Sequence, residues 1–376
     1  MMHELMEGKN QTLTSEFFLL GLSNQLEEQQ SLFVLFLSMY LTTGLGNLLI
    51  ILAIAFDPHL HSPMYFLLSN LSFVDLCFTT TTVPKMLVNH ISGNKTIPYA
   101  GCLTQMFFFI WFASIDSFLL VAMAYDRYIA ICHPLRYASL MIPRLCALLV
   151  ATSWSFACIN ALTHTVLLTQ LSFCSHNEIP HFFCDLSPLL KLSCSDTFIN
   201  DVLVYTVGAL PILMPFVGIL VSYTRIFAAV LRIPSARGKR KAFSTCGSHL
   251  SVVSLFYGAV IGVYLSPMSY HTVEKDTAAA VMYTVVTPML NPFIYSLRNR
   301  DMKGALWKLF SRIVASPAFG DRDSSMGEVG KENFVFVNAH ILELSIFINF
   351  EFQNLASEIH QTGALPMFEV LIKGLS

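Results

Sequence analysis

Met123-Ala124-Tyr125-Asp126-Arg127-Tyr128 closes a run of about two dozen mostly apolar residues that begins near Cys102. An acid and an arginine side by side at the end of such a run are unusual. At the edge of a bilayer the pair costs little, because each charge partners the other or a neighbouring helix. There a small helix movement also makes or breaks it. Whether the pair is a switch depends on what surrounds it.

The surroundings are those of a membrane protein. The 376 residues are 54% hydrophobic and only 12% charged, about half the charge of an average soluble domain. Mean hydropathy is +0.60, and the apolar residues are gathered in blocks. A net charge of −2 names no partner and gives no footing for nucleic acid. Nine cysteines are too few for a disulfide scaffold, and no CxxC pair or Cys/His spacing suggests zinc. The first 30 residues carry Glu4, Glu7, Glu16, Glu27 and Glu28 against Lys9. They lack the basic start and apolar centre of a cleaved signal, so the first span is expected to do the targeting.

About 20 apolar residues cross a bilayer core as a helix. Seven stretches reach that length: 31–56, 64–88, 102–126, 145–168, 202–224, 248–268 and 278–297. The expected fold is an all-α seven-transmembrane bundle. Lys and Arg at the ends and loops after spans three, five and seven number 14. The amino terminus and the opposite loops hold only Lys9, Lys95, Lys191 and Lys275, a bias of 14 to 4. The expected orientation is amino terminus outside and carboxyl terminus inside. The chain then divides into an extracellular amino terminus (1–30), the seven-span domain (31–297), an amphipathic cytoplasmic helix (298–315) and a flexible cytoplasmic tail (316–376).

Smaller signals fit that layout. Asn10-Gln11-Thr12 is a glycosylation acceptor on the outer side. Asn94-Lys95-Thr96 is a second triplet in a short loop close to the membrane. Cys102, Cys174, Cys184 and Cys194 are expected outside, where disulfides persist, and four cysteines allow three pairings. Cys77, Cys132, Cys146, Cys158 and Cys246 are expected to be free thiols. Between Met302 and Ile313, the residues Leu306, Leu309, Phe310 and Ile313 share one helical face, which should lie on the inner membrane surface and its lipid.

Several motifs in order resemble the rhodopsin-like G-protein-coupled receptors, and among them the olfactory (odorant) receptors. They are Gly46-Asn47, Leu60-His61-Ser62-Pro63-Met64-Tyr65-Phe66, Met123 to Tyr128, and Cys132-His133-Pro134-Leu135-Arg136-Tyr137. Ser222-Tyr223, Lys241 to Leu250 and Pro288 to Ser296 follow. The resemblance covers about residues 15–313 and not the tail.

The resemblance implies two disulfides, Cys102 with Cys184 and Cys174 with Cys194. It implies a restrained Arg127 beside Asp126 and Tyr128, which meets a G protein with Tyr223 nearby when the helices move. Asn291, Pro292 and Tyr295 make a broken helix end in span seven, where proline removes a backbone donor. Asp75 and Asp116 are acids deep in the spans. With Asn47, Ser117 and Asn291 they form an oxygen-rich site for a sodium ion or, equally, a hydrogen-bonded polar cluster.

In the outer half of span three, Met106, Phe109, Ile110, Ala113 and Ser114 fall on one face. The resemblance places an odorant cavity there, closed by Val207, Gly208, Pro211, Tyr257, Val260, Ile261, Tyr264 and Thr284. Such a lining suits a small, mostly apolar volatile molecule. No acid lies between Cys102 and Ile115 to pair with an amine ligand.

These expectations make the chain a plasma-membrane odorant receptor coupled to a stimulatory heterotrimeric G protein. No nucleophile constellation or phosphate-binding glycine loop points to an enzyme. A non-olfactory chemosensory receptor is the nearest alternative. A ligand-gated channel or transporter would require a continuous polar path, and the acids deep in the spans are only Asp75 and Asp116.

Overall fold

The computed structural model describes residues 15–22, 26–174, 177–264 and 273–315. Asn10 and the tail 316–376 lie outside the described residues.

In chain order the elements are β1 (Glu16–Leu19), α1 (Leu26–Phe56), α2 (Pro63–Ser92), β2 (Thr96–Pro98), α3 (Tyr99–Cys132), α4 (Tyr137–Leu140) and α5 (Pro143–Leu168). Next come β3 (Glu178–Ile179), α6 (Leu186–Lys191), α7 (Phe198–Leu203), a π-helical turn (Val204–Gly208), α8 (Leu210–Leu231) and α9 (Ala236–Tyr264). The described chain ends with α10 (Val273–Val281), a second π turn (Met282–Val286), α11 (Thr287–Arg298) and α12 (Arg300–Ala315). Runs α7–α8 and α10–α11 each continue through their π turn, so the long helices of the described chain form seven rods, followed by the shorter α12.

Six of the rods are long and apolar enough to cross a membrane. In the remaining rod, α9, the apolar part described is Cys246–Ile261. That rod begins in the basic segment expected to be a loop: Arg237, Lys239 and Arg240 are helical. The rod formed by α7 and α8 likewise runs on to Leu231, past the expected 224. Span three also exceeds expectation. Asp126 and Arg127 sit more than a turn inside α3, which stops at Cys132 because Pro134 disfavours helical geometry at His133.

Helix ends follow local chemistry. Asp57 caps the 3₁₀ turn Pro58–Leu60 through the His59 amide. The end of α2 is Gly93, whose φ of +67° is a left-handed cap that favours glycine.

The helix α2 is buried on nearly all sides, whereas α5 and α7–α8 face outward. The main core joins α1, α2, α3, α8, α9 and α11. Gly46 is required at one contact: a Cβ there would lie 3.0 Å from Pro292 on α11. A second cluster sits at the Cys102 end, where Phe17, Leu19, Ile97, Ile179 and Cys184 pack together.

The same end carries a little β-structure beside the helices. A three-stranded sheet, ordered β2-β1-β3, caps the bundle. Strand β1 pairs antiparallel with β2 (Phe17 opposite Ile97) and parallel with β3 (Leu19 opposite Ile179). Phe17 and Leu19 point into the cluster while Glu16 and Phe18 point out, the two-residue period of a half-buried strand. The expected amphipathic face of α12 also divides. Leu309 joins Met302 and Ala305 against the bundle, while Phe310 and Trp307 are exposed. The side chain of Ile313 is outside the described residues.

Candidate functional site

In the stretch Met123 to Tyr128 of α3, Met123, Ala124 and Asp126 are buried and Tyr125 is exposed. Asp126 is buried and accepts a hydrogen bond from the Tyr137 hydroxyl at 2.7 Å. Its other oxygen is 3.8 Å from the Arg127 Nε. Tyr137 is the first residue of α4, held by packing against Ile129, Met141 and Cys146. Burial and the Asp126 carboxylate push the Tyr137 phenol above its usual range, so it stays protonated and donates. Tyr128 turns aside, its hydroxyl 3.1 Å from His133 Nε2.

Two turns above Arg127, three helices are joined by His249, which lies in the Lys241 to Leu250 motif and has no role legible from that motif. Its Nε2 donates to the Leu120 carbonyl at 3.0 Å. A neutral ring then leaves Nδ1 as acceptor, and the Tyr223 hydroxyl donates to it at 2.8 Å. This ties α3 to α8 and α9. Tyr223 and His249 also stack, with ring centroids 5.7 Å apart. Tyr295 on α11 is buried, its hydroxyl without a protein partner.

At mid-bundle, Asn291 Nδ2 donates to both Asp75 oxygens, at 2.8 and 3.1 Å. Asp75, Asp116 and Asn291 line one cavity of about 10 Å³ with Leu71, Phe256 and Thr287, room for about one water-sized species. Asp116 Oδ1 and Asn291 Oδ1 have no protein partner. Two carboxylates and an amide oxygen suit a small hard cation. Two of the expected ligands sit apart from this lining. Asn47 Nδ2 donates to Thr43 and Pro288 carbonyls, and Ser117 is buried beside the cavity without lining it. Among the described residues, no three of His, Cys, Asp and Glu are gathered to hold a metal.

Above this level Phe109 meets Phe183 at 4.6 Å, Phe78 at 5.4 Å and Tyr283 at 6.2 Å between centroids. Phe183 comes from the loop before Cys184. The disulfides Cys102–Cys184 and Cys174–Cys194 hold that loop, the first closing 82 residues and the second 20. Gln105, which no sequence signal singled out, fixes the same place. Its amide donates to the Thr81 carbonyl at 3.0 Å, and its oxygen accepts from the Cys184 N–H at 2.9 Å.

The other cavity residues scatter. Met106 is fully buried in the capping cluster. Ile110 and Ala113 pack partly buried against the core, and Ser114 Oγ donates to the Ile110 carbonyl. Tyr257 packs against Phe216 with ring centroids 4.9 Å apart, and Val260 is buried on the same rod. Pro211 is buried and Val207 partly so. Thr284 is buried in the second π turn, bonded to the Ala280 carbonyl. Ile261 is one-third exposed. The Tyr264 side chain lies outside the described residues. Gly208 faces α5: a Cβ there would lie 2.9 Å from His164 Nε2.

At the Arg127 end, Asp57 receives Lys308 Nζ of α12 at 2.8 Å and His59 Nδ1 at 2.9 Å. Burial alone would raise its pKa. The hydrogen bonds from Lys308 and His59 outweigh that and hold it at about 2. Asn299 Nδ2 donates to the Tyr65 hydroxyl, a second tether for the start of α12.

Comparison with known proteins adds a consistent pattern. Residues 36–313 match the family described as olfactory receptor. The chain is 61% identical over 311 residues to olfactory receptor 1F1 of Homo sapiens, covering 83% of this chain and 100% of that one. It is 60% identical over 311 residues to olfactory receptor 1M1 of Mus musculus, covering 83% and 99%. Against olfactory receptor 1468 of Rattus norvegicus it is 60% identical over 307 residues, covering 82% and 98%.

Proposed function

Because this chain belongs to the olfactory receptor family, and is an olfactory receptor rather than an enzyme, we propose how it works: a small, mostly apolar volatile odorant enters the bundle and a stimulatory heterotrimeric G protein is activated, raising cyclic AMP. The multi-pass chain sits in the plasma membrane with its amino terminus outside. The 14 to 4 bias of basic residues supports that orientation. So do the two disulfides, which belong in an oxidising compartment and lie at the end opposite Arg127.

The observation that carries the reading is the course of α3. One rod bears Phe109 beneath Phe183, Asp116 in the small cavity, and Asp126-Arg127 at the far end. A ligand that shifts packing around Phe109 and Tyr257 acts on the same rod that Leu120 ties to His249 and Tyr223. Movement of α9 breaks that tie and uncovers Arg127 for the partner, a discrete helix shift. The cavity lined by Asp75, Asp116 and Asn291 would hold a sodium ion; otherwise the same groups form a hydrogen-bonded polar cluster. Asn291, Pro292 and Tyr295 form the hinge on α11.

An odorant panel tests this in cells reporting cyclic AMP, with the stimulatory G protein co-expressed. Ligands that raise cyclic AMP in the wild type should fail in Arg127→Ala at equal surface level. Full signalling in that variant contradicts the assignment of Arg127. Ligand-evoked current in cells lacking the G protein would instead indicate a channel.

A further inference from the structure

We infer that Ser248 is a positioning residue of the switch: its hydrogen bond to the Ile294 carbonyl latches α9 to α11 in the resting receptor and breaks when α9 moves. The inference rests on the movement of α9 proposed above and joins it to the broken helix end of α11. Ser248 Oγ donates to the Ile294 carbonyl at 2.9 Å. The neighbouring His249 holds α9 to Leu120 of α3 and to Tyr223 of α8. Two successive residues of α9 therefore bind it to three helices.

That use of a serine is uncommon in this bundle. Serine and threonine hydroxyls within its helices mostly donate back to the carbonyl three or four residues earlier, as Thr43, Ser114, Ser153 and Thr224 do. Ser251, one turn further along α9, donates to the Gly247 carbonyl in this way at 2.7 Å. A hydroxyl has one proton to donate, and Ser248 directs it to another helix. The place of the acceptor matters as well. Pro292 has no N–H to offer the Pro288 carbonyl, and Asn47 Nδ2 of α1 donates to that carbonyl at 3.1 Å. Ile294 follows Pro292 by two residues. Helix α11 is thus gripped by α1 before its break and by α9 after it. A shift of α9 removes the second grip and frees the end of α11 to turn about the proline. The Ser248 hydroxyl then takes the carbonyl of Ser244, four residues back on its own helix. The latch opens without stranding a donor, so its net strength is that of one modest hydrogen bond.

The test reads cyclic AMP without ligand in reporter cells, divided by full-length receptor at the surface. Ser248→Ala removes the hydroxyl. Ser248→Thr and Ser248→Val are matched in shape and differ in the donor. Loss of the bond should raise basal signal about fivefold in Ser248→Ala over wild type, and by a similar factor in Ser248→Val over Ser248→Thr. Equal basal signals in the Thr and Val variants overturn the latch, since a purely steric role moves both alike. Ser248→Ala at the wild-type level overturns it too. If Ser248→Ala fails to reach the surface, the Thr and Val pair decides. His249→Phe, which cuts the ties to α3 and α8, separates the latch from the reading beneath it. A raised basal signal in His249→Phe with equal signals in the Thr and Val variants refutes the latch alone. An unchanged basal signal in His249→Phe refutes the movement of α9, and the latch with it.

Discussion

Replacing Tyr137 with Phe removes one hydroxyl and little else. The ring keeps its place against Ile129, Met141 and Cys146. What disappears is a 2.7 Å hydrogen bond to a carboxylate that is only 1% exposed. Hydrogen bonds to charged groups contribute about 1.5–3 kcal/mol. Arg127 at 3.8 Å is too distant from Asp126 to replace it directly. If the bond belongs to the resting arrangement alone, its loss raises the ratio of active to resting receptor by about 12- to 160-fold. A minor state populated at roughly 0.1–1% then becomes plainly measurable. The assay is cyclic AMP without ligand, divided by surface receptor counted through an amino-terminal epitope tag. Tyr137→Phe should show basal signal at least about tenfold above wild type. An unchanged basal signal at normal surface level refutes the reasoning, because the bond would then persist through activation.

Other expectations follow from the same geometry. Cys102→Ala opens an 82-residue loop and Cys174→Ala a 20-residue loop. The loop-entropy relation puts their costs at about 4.5 and about 3.3 kcal/mol, so surface expression should fall further for Cys102→Ala. Gly46→Leu drives a side chain into Pro292, 3.0 Å from where its Cβ would stand. Overpacking of that kind costs about 1–3 kcal/mol, to be read as a lower melting temperature of the purified receptor; Gly44→Leu, with open space beside it, should melt near wild type. The Asp57–Lys308 tether gives a pH dependence with a fixed sign. Its carboxyl titrates at about 2 in the structure against about 3.9 in an unfolded chain. Its stabilisation is therefore complete above about pH 4 and is lost as pH falls toward 2. A melting difference between wild type and Asp57→Asn should stay constant from neutral pH down to about 4, then close.

Much of this protein was legible in its sequence because a bilayer imposes a strong rule. Backbone polar groups in hydrocarbon must be satisfied within the segment, so each long apolar block becomes a helix. Pro134, Gly93 and Asp57 act on their immediate neighbours, and the ends of α3 and α2 and the start of the 3₁₀ turn follow. The basic start of α9 is helix where the charge pattern predicts loop, because charge marks a membrane boundary, not the end of a helix.

Partners far apart in sequence were not legible. The alternation in Glu16 to Leu19 is too short to announce a strand, and β1 exists because two loops supply its neighbours. Leu309 and Phe310 look alike on a helical projection, yet only packing against α1 and the 3₁₀ turn sends one inward and the other out. Gln105, Tyr137 and His249 have no role legible in their own neighbourhoods. Each matters through an atom supplied by another helix or loop: Cys184, Asp126 and Tyr223.

The sequence by itself determined the rods, their breaks and the place of Asp126-Arg127 on the third of them, since solvent transfer and backbone geometry act locally. Tertiary structure alone decided which atoms that pair meets. Hydrogen bonds of about 3 Å are set by how helices pack, and helix packing brings together residues that the chain keeps a hundred or more positions apart, as it does Leu120 and His249.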